Sequence, residues 1–303
     1  MKILITGAGG RLGAALMREY QRKFEVTGFN HAQLDLSNPD QIRERIGTAS
    51  FDVLINAAAF TSVDLCETQR NQAFQINAEA PRLLAEICRD KDAKLIHFST
   101  DYVFDGEKRE PYTEEDEANP ISVYGESKRA GEENILAVKG RHLVVRVSWV
   151  FGPDRPSFID GLIKRAQEND QVDAIADKFS TPTYTLDIAE MLGRILDGWC
   201  RRAFAPDGLG AGRLQGILHV ANACECSWQE YGQWALDCCQ KFDLPIKAKT
   251  VGALKLKDMK SWVARRPVYS VLSNAKYAKL TGASPRAWRN AVADYIRRFY
   301  SKK

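Results

Sequence analysis

The sequence predicts an α/β fold: a doubly wound parallel sheet with a smaller, mostly helical C-terminal part. Three observations point there. Short, almost wholly apolar runs recur through the first half of the chain, as strands buried on both faces require. Segments of helical periodicity separate them, and that alternation builds a parallel sheet. The first run also passes straight into a glycine-rich turn that opens a helix.

Lys2-Ile3-Leu4-Ile5-Thr6 is the first strand. Gly7-Ala8-Gly9-Gly10-Arg11-Leu12-Gly13 follows it, and helical periodicity runs from Ala14 to Arg22. Strand, glycine turn and helix in that order form a Rossmann-type dinucleotide site. The glycines let the backbone approach a pyrophosphate at the positive helix N-terminus. Gly7, Gly10, Arg11, Leu12 and Gly13 are therefore candidate cofactor residues. Phe24 to Phe29 gives the second strand, ending at Asn30, where NAD-selective folds usually place an acid. A neutral Asn30, with Arg11 near enough to meet a 2′-phosphate, leans towards NADPH without excluding NADH. Asp35, in Leu34-Asp35-Leu36, is a candidate for the adenine amino group with Leu36 beside it. Asn38-Pro39 reads as a helix cap.

Phe51 to Ile55 is the next buried strand, and the small Ala57, Ala58 and Ala59 after Asn56 leave room for a flat cofactor. A helix is expected from about Arg70 to Arg89, with Asn77 facing the cofactor region. Lys94 to Phe98 is a further strand, delivering Ser99-Thr100-Asp101 at its carboxyl end. His97, inside that apolar run, reads as a core residue. Leu143 to Val147 is the last strand of the first half, followed by Ser148-Trp149-Val150-Phe151-Gly152. Beyond it, helical periodicity appears at Phe158 to Gln167, Thr185 to Trp199 and Trp228 to Lys241, the last with a Ser227/Glu230 capping box. Gly216 to Val220 is a strand expected to join the main sheet, and Ala205 to Gly212 a surface loop. The division is residues 1–150 for the dinucleotide, with parts of 185–222 returning to it, and 151–303 mainly for substrate.

Bulk properties narrow the function. A chain of 303 residues can bury a substantial core, and its net charge of +4, in no long block of one sign, argues against a nucleic-acid partner. No stretch approaches the roughly 18 apolar residues of a membrane span. Met1-Lys2 enters the first strand without a signal peptide. Seven cysteines, an odd number without metal-site spacing, predict free thiols in a reducing cytoplasm and no metal.

The chemistry centres on Tyr124-Gly125-Glu126-Ser127-Lys128. Tyr and Lys four apart share one helix face. A neighbouring cation favours the phenolate, so Lys128 is expected to lower the Tyr124 pKa and make it a proton donor near neutrality. Alone the pair is a weak signal. The glycine turn upstream, and Thr100 at a strand end where open α/β sheets bind ligands, give it a context.

Together these residues resemble the extended short-chain dehydrogenase/reductase family over nearly the whole chain. The more specific pieces are Ser99-Thr100-Asp101-Tyr102-Val103-Phe104-Asp105-Gly106 and Ala264-Arg265-Arg266-Pro267, joined by Thr61-x-Val63-Asp64-x-x-Glu67 and Arg146-Val147-Ser148-Trp149-Val150. The resemblance implies reduction, by NADPH or NADH, of the C4 keto group of a nucleotide-linked 6-deoxy sugar. Thr100 would bond the carbonyl, Tyr124 protonate it and Lys128 hold the nicotinamide ribose. Asp101 and Trp149 would contact the sugar, and Arg266 the diphosphate. A homodimer is compatible with it. Related epimerases and dehydratases, and a non-catalytic dinucleotide-binding regulatory subunit, share the fold. Tyr102 after Asp101, where a dehydratase carries Glu, speaks against dehydration. Two departures, Ser157-Phe158 for Asn-Phe and Asp177-Lys178-Phe179-Ser180-Thr181-Pro182-Thr183 for D-Q-x-G-x-P-T, leave the identity of the nucleotide sugar open.

Overall fold

The computed structural model describes residues 1–201 and 214–301. The expected loop at Ala205 to Gly212 lies outside them. The chain begins with β1 (Lys2–Thr6), α1 (Arg11–Tyr20), β2 (Glu25–Phe29), α2 (Pro39–Thr48) and β3 (Val53–Asn56). Helices α3 (Val63–Thr68), α4 (Arg70–Phe74) and α5 (Ala80–Asp90) precede β4 (Lys94–Thr100), and α6 (Val123–Ala137) precedes β5 (Arg141–Val147). The second half begins with β6 (Val150–Phe151), α7 (Phe158–Glu168), β7 (Val172–Ile175), β8 (Phe179–Ser180), β9 (Thr183–Tyr184) and α8 (Thr185–Arg201). It continues with β10 (Gly216–His219), β11 (Cys226–Ser227), α9 (Trp228–Lys241), β12 (Val251–Leu254), α10 (Ala275–Thr281) and α11 (Trp288–Phe299).

Six parallel strands form the main sheet in the order β10-β5-β4-β3-β1-β2. The apolar runs explain its burial. Ile3 and Ile5 of β1 point into a core shared with Leu16 of α1 and Ile188 and Leu192 of α8. Leu4 between them points the other way, to Ile42 of α2 and Leu84 of α5. Burying each such side chain contributes about 1.5–3 kcal/mol, so an all-apolar strand is stable only between two helical layers. From β1 the chain crosses to β2 on one side and β3 on the other. The carboxyl ends of β1 and β3 therefore flank a switch point, where open α/β sheets form their ligand crevice.

The helix expected over Arg70 to Arg89 is broken. A π-helical turn at Gln75–Glu79 separates α4 from α5. Pro81 supplies the reason: it has no N–H for the Asn77 carbonyl four residues back. That carbonyl instead lies against Gly131 of α6, where an added Cβ would stand only 2.1 Å from it.

The second half is helical, as predicted, but it also holds three two-stranded pieces: β6 with β9, β7 with β12, and β8 with β11. These strands are two to four residues long, too short to leave a periodicity in the sequence. The Ser227/Glu230 capping box and the Asn38 cap form as expected. Strand β10 extends the sheet beside β5.

Candidate active site

A cavity of about 820 Å³ opens over the switch point. It runs from Asn30 and Asp35 at one end, past the glycine turn, to Thr100, Tyr124 and Trp149 at the other. Gly7 adopts φ +70, and an added Cβ would lie 2.6 Å from the Ala58 amide. A side chain there would close the turn onto the wall formed by Ala57, Ala58 and Ala59. Gly13 lines nothing; its Cα packs on Gly7, with an ideal Cβ 2.1 Å from the Gly7 carbonyl oxygen. Its role is to let α1 approach β1. Gly10, Leu12 and Leu36 line the cavity with the alanines.

At the far end, α6 presents Tyr124 and Lys128 one turn apart, both buried. The helix start is fixed twice: Ser122 accepts from the Gly125 amide, and the Glu67 carboxylate accepts from the Val123 amide at 2.9 Å. Tyr102 packs edge-on against Tyr124 with ring centroids 5.6 Å apart. Asn77 does not face the cavity. It accepts from the Phe60 amide and donates to the Phe60 carbonyl and Ser127 Oγ, tying the π-helical turn to α6.

The Tyr124 pKa runs opposite to expectation. Burial pushes it up, opposed by the neighbouring Thr100 hydroxyl, and Lys128 contributes no lowering. The Lys128 ammonium group points away, donating to the Phe98 carbonyl at 2.7 Å. Burial lowers Lys128 to about 8, opposed by Glu132.

His97 is more than core filling. The Ala58 amide and Thr6 hydroxyl both donate to Asn56 Oδ1, at 3.1 and 2.7 Å. The Asn56 NH2 therefore faces His97 Nδ1 at 2.9 Å, which must accept. The proton of the neutral imidazole then sits on Nε2, pointing at Lys128 Nζ 3.1 Å away. This chain is free of opposed donors when Lys128 is the neutral amine.

Asp101 is buried at the Thr100 end of the cavity. Its Oδ2 accepts from Ser270 Oγ at 2.5 Å and Ser180 Oγ at 3.2 Å, while Thr100 Oγ1 donates to Oδ1 at 3.2 Å. Burial raises the carboxyl's pKa and the nearby Lys178 opposes the rise. Lys178, itself buried and pushed to about 8, donates to the Pro267 carbonyl at 2.9 Å. Its Nζ lies 5.2 Å from the Tyr102 ring centre and 5.5 Å from that of Trp149. Trp149 holds φ +39, and its buried Nε1 has no partner. Such strain, of order 1–3 kcal/mol, collects where an orientation matters.

Two cations singled out in the sequence are held by the protein itself. Arg11 lines the cavity, and its guanidinium donates to the carbonyls of Val150, Arg155 and Pro156, fastening the segment after Trp149 to α1. Arg266 is outside the cavity that holds Tyr124. It pairs with Asp64 at 2.7 Å, and its guanidinium stacks 3.8 Å from the Trp262 ring centre. Asp35 does line the cavity, with Oδ1 accepting from the Ser37 amide and hydroxyl. Asn30 shares side-chain bonds with Gln33. Lys178 and Ser180 went unassigned; their only signal was that both depart from the family pattern.

A switch-point cavity reached from one end by a glycine turn and from the other by a Tyr-x-x-x-Lys helix defines the class as the extended short-chain dehydrogenase/reductases. Comparison with known proteins makes this specific. The chain belongs to the family described as the RmlD substrate binding domain, which matches residues 1–301. It is 36% identical to a dTDP-4-dehydrorhamnose reductase of Mycolicibacterium smegmatis, over 97% of this chain and 85% of that protein. A Clostridium acetobutylicum dTDP-4-dehydrorhamnose reductase superposes with a TM-score of 0.87 at 32% identity, covering 98% of this chain and 99% of that one. The Bacillus anthracis reductase, solved in complex with NADP, gives a TM-score of 0.87 at 28% identity with the same coverage.

Proposed function

We propose that the protein is an NAD(P)H-dependent reductase converting dTDP-4-dehydrorhamnose to dTDP-L-rhamnose. The observation that carries this reading is the convergence of Thr100, Tyr124 and Lys128 on one end of a cavity whose other end is the glycine turn. The cofactor fits the residues present. Gly7, Gly10 and Leu12 receive the pyrophosphate, Ala57 to Ala59 the flat rings, Asp35 and Leu36 the adenine end, and Lys128 the ribose hydroxyls. When bound, reduced nicotinamide supplies the hydride.

The chain's own part is proton placement. Thr100 Oγ1, turning its one proton from Asp101 Oδ1, donates to the sugar ketone oxygen and fixes its direction. Tyr124 carries its proton at neutral pH, as an ordinary phenol does, and burial holds it more firmly; a donor should release it only as negative charge develops on that oxygen. Trp149 offers a ring face to the sugar, and Asp101, whose burial-raised pKa Lys178 opposes, lies beneath it. Residues 1–150 with parts of 185–222 carry the cofactor, and the rest of 151–303 carries the sugar. Free cysteines throughout the described residues fit a cytoplasmic enzyme, and among those residues no helix is long and apolar enough to cross a membrane.

The test supplies dTDP-4-dehydrorhamnose with NADPH and follows loss of the reduced-nicotinamide absorbance. Oxidation that depends on the sugar nucleotide is expected. Nucleotide binding without turnover, across dTDP-, UDP-, GDP- and CDP-linked 4-keto sugars, would sink the reading.

A further inference from the structure

The end of the cavity farthest from Tyr124 holds a cation without a carboxylate partner. Arg155 lies on the segment joining β6 to α7 and reaches back over the glycine turn, donating Nε–H to the Gly9 carbonyl at 2.7 Å. Its terminal nitrogen comes within 4.0 Å of where a Gly9 Cβ would stand, and the Asn30 Cβ lies 3.4 Å from the same point. Arg155, Gly9, Asn30 and His31 thus share one corner. Among the described residues no salt bridge engages Arg155, whereas Arg18 and Arg266 each pair with an aspartate. The neighbouring cation, Arg11, is committed to three carbonyls.

The corner also lacks the group that would select against a phosphate. Strand β2 ends at Asn30, whose carbonyl-type Oδ1 accepts from the Gln33 amide. The nearest cavity carboxylate, Asp35, already accepts two bonds from Ser37. An acid at this strand end would bond ribose hydroxyls and repel a phosphate; a guanidinium does the reverse. The pyrophosphate has its own receptor in the turn amides at the α1 N-terminus. A third phosphate is what Arg155 is placed to meet.

We propose that Arg155 is the cofactor-specificity residue, reading the 2′-phosphate of NADPH from the segment that also carries Trp149. The inference deepens the reductase reading and rests on it. Its distinctive content is that cofactor choice is made outside the first 150 residues, by a side chain of the sugar-binding half folded back over the glycine turn.

The test uses the purified protein without sugar. NADPH and NADH are titrated separately, following nicotinamide fluorescence, for the native protein, Arg155→Gln and Arg155→Lys. The native protein should bind NADPH more tightly. Arg155→Gln should weaken NADPH by about tenfold, the value of one exposed charge-assisted contact, and change NADH by less than about twofold. Arg155→Lys should keep part of the preference. The native preference should shrink as salt rises, because an exposed ion pair is screened. Equal weakening of both nucleotides would overturn the proposal and assign Arg155 to the pyrophosphate. Unchanged NADPH affinity in Arg155→Gln would overturn it as well. Binding of neither nucleotide to the native protein would instead fell the reductase reading, and the proposal with it.

Discussion

The two walls of the cavity are made in different ways. One is the sheet edge, with the glycine turn, the end of β4 and one face of α6; its parts are contiguous motifs locked by local bonds. The other is faced by Trp149 and Asp101 and backed by the buried Lys178, Ser180 and Ser270, which reach them only when the second half folds back. Asp101 marks the seam: its serine partners stand 79 and 169 positions away in sequence. Each wall buries one lysine pushed to about 8, yet the Lys128 ammonium turns to His97 and the Phe98 carbonyl, while Lys178 acts on the Asp101 carboxylate. The first wall is furnished for a reaction and the second for choosing what undergoes it.

Removing the donor from the first wall should have the largest effect. Tyr124→Phe should lower kcat by about 10³-fold, within the range for a lost general acid, while NADPH binding stays within about twofold. Turnover near that of the native protein would dissolve the distinction between the walls.

On the second wall, Asp101→Asn and Lys178→Met should each destabilise the protein by roughly 3 kcal/mol, since each leaves the other buried charge uncompensated. The double variant should be less destabilised than the sum by about 1 kcal/mol or more, measured by urea unfolding. Strict additivity would mean that Lys178 does not hold Asp101 ionised.

The smallest effect joins the walls. Both lysines have native pKa values below the unfolded value of about 10.4, so from about pH 8 upward the unfolded chain binds more protons at these two groups than the native one. The lysines' own contribution to stability should therefore rise between pH 8 and 9.5. Their penalty is fully present below pH 8 and lifts towards the unfolded value. The thiols of Cys66, Cys88, Cys226, Cys238 and Cys239, raised by burial, pull the total the other way as the unfolded chain's thiols ionise. The thiols cancel in the difference between the native protein and Lys178→Met, so that difference should shift in favour of the native protein as pH rises from 8 to 9.5; a flat or opposite difference would contradict the assignment. Above about pH 10 the buried tyrosines, Tyr124 among them, reverse the trend, because the unfolded chain then loses phenol protons that the native state keeps.

This difference between walls also decided what could be read from the sequence. Gly7 to Gly13 and Tyr124 with Lys128 are legible because their geometry follows from spacing on one turn or one helix face. The order of the six sheet strands was not legible: β5 and β10 pair although residues 148–215 separate them. Burial, by contrast, is a property of the folded whole. It reversed the expected direction of the Tyr124 pKa and turned Lys128 towards Phe98 and His97. Long flexible cations were the hardest to place: Arg11 and Arg266 have a reach that allows several partners, and backbone carbonyls and Asp64 took them. Ser180 and Ser270 are ordinary residues whose meaning lies only in meeting at Asp101.

The π-helical turn at Gln75–Glu79 makes one stretch of the chain sensitive to its length. It accommodates one residue more than a regular helix would in the same span, and that surplus sets the rotation at which Asn77 meets Phe60 and Ser127. Deleting a single residue there would restore regular winding and swing Asn77 by roughly 100° around the helix axis, unfastening the back of α6 from a distance. Point substitutions on the exposed side of the same turn should pass almost unnoticed. For this segment the number of residues is a stricter specification than most of their identities.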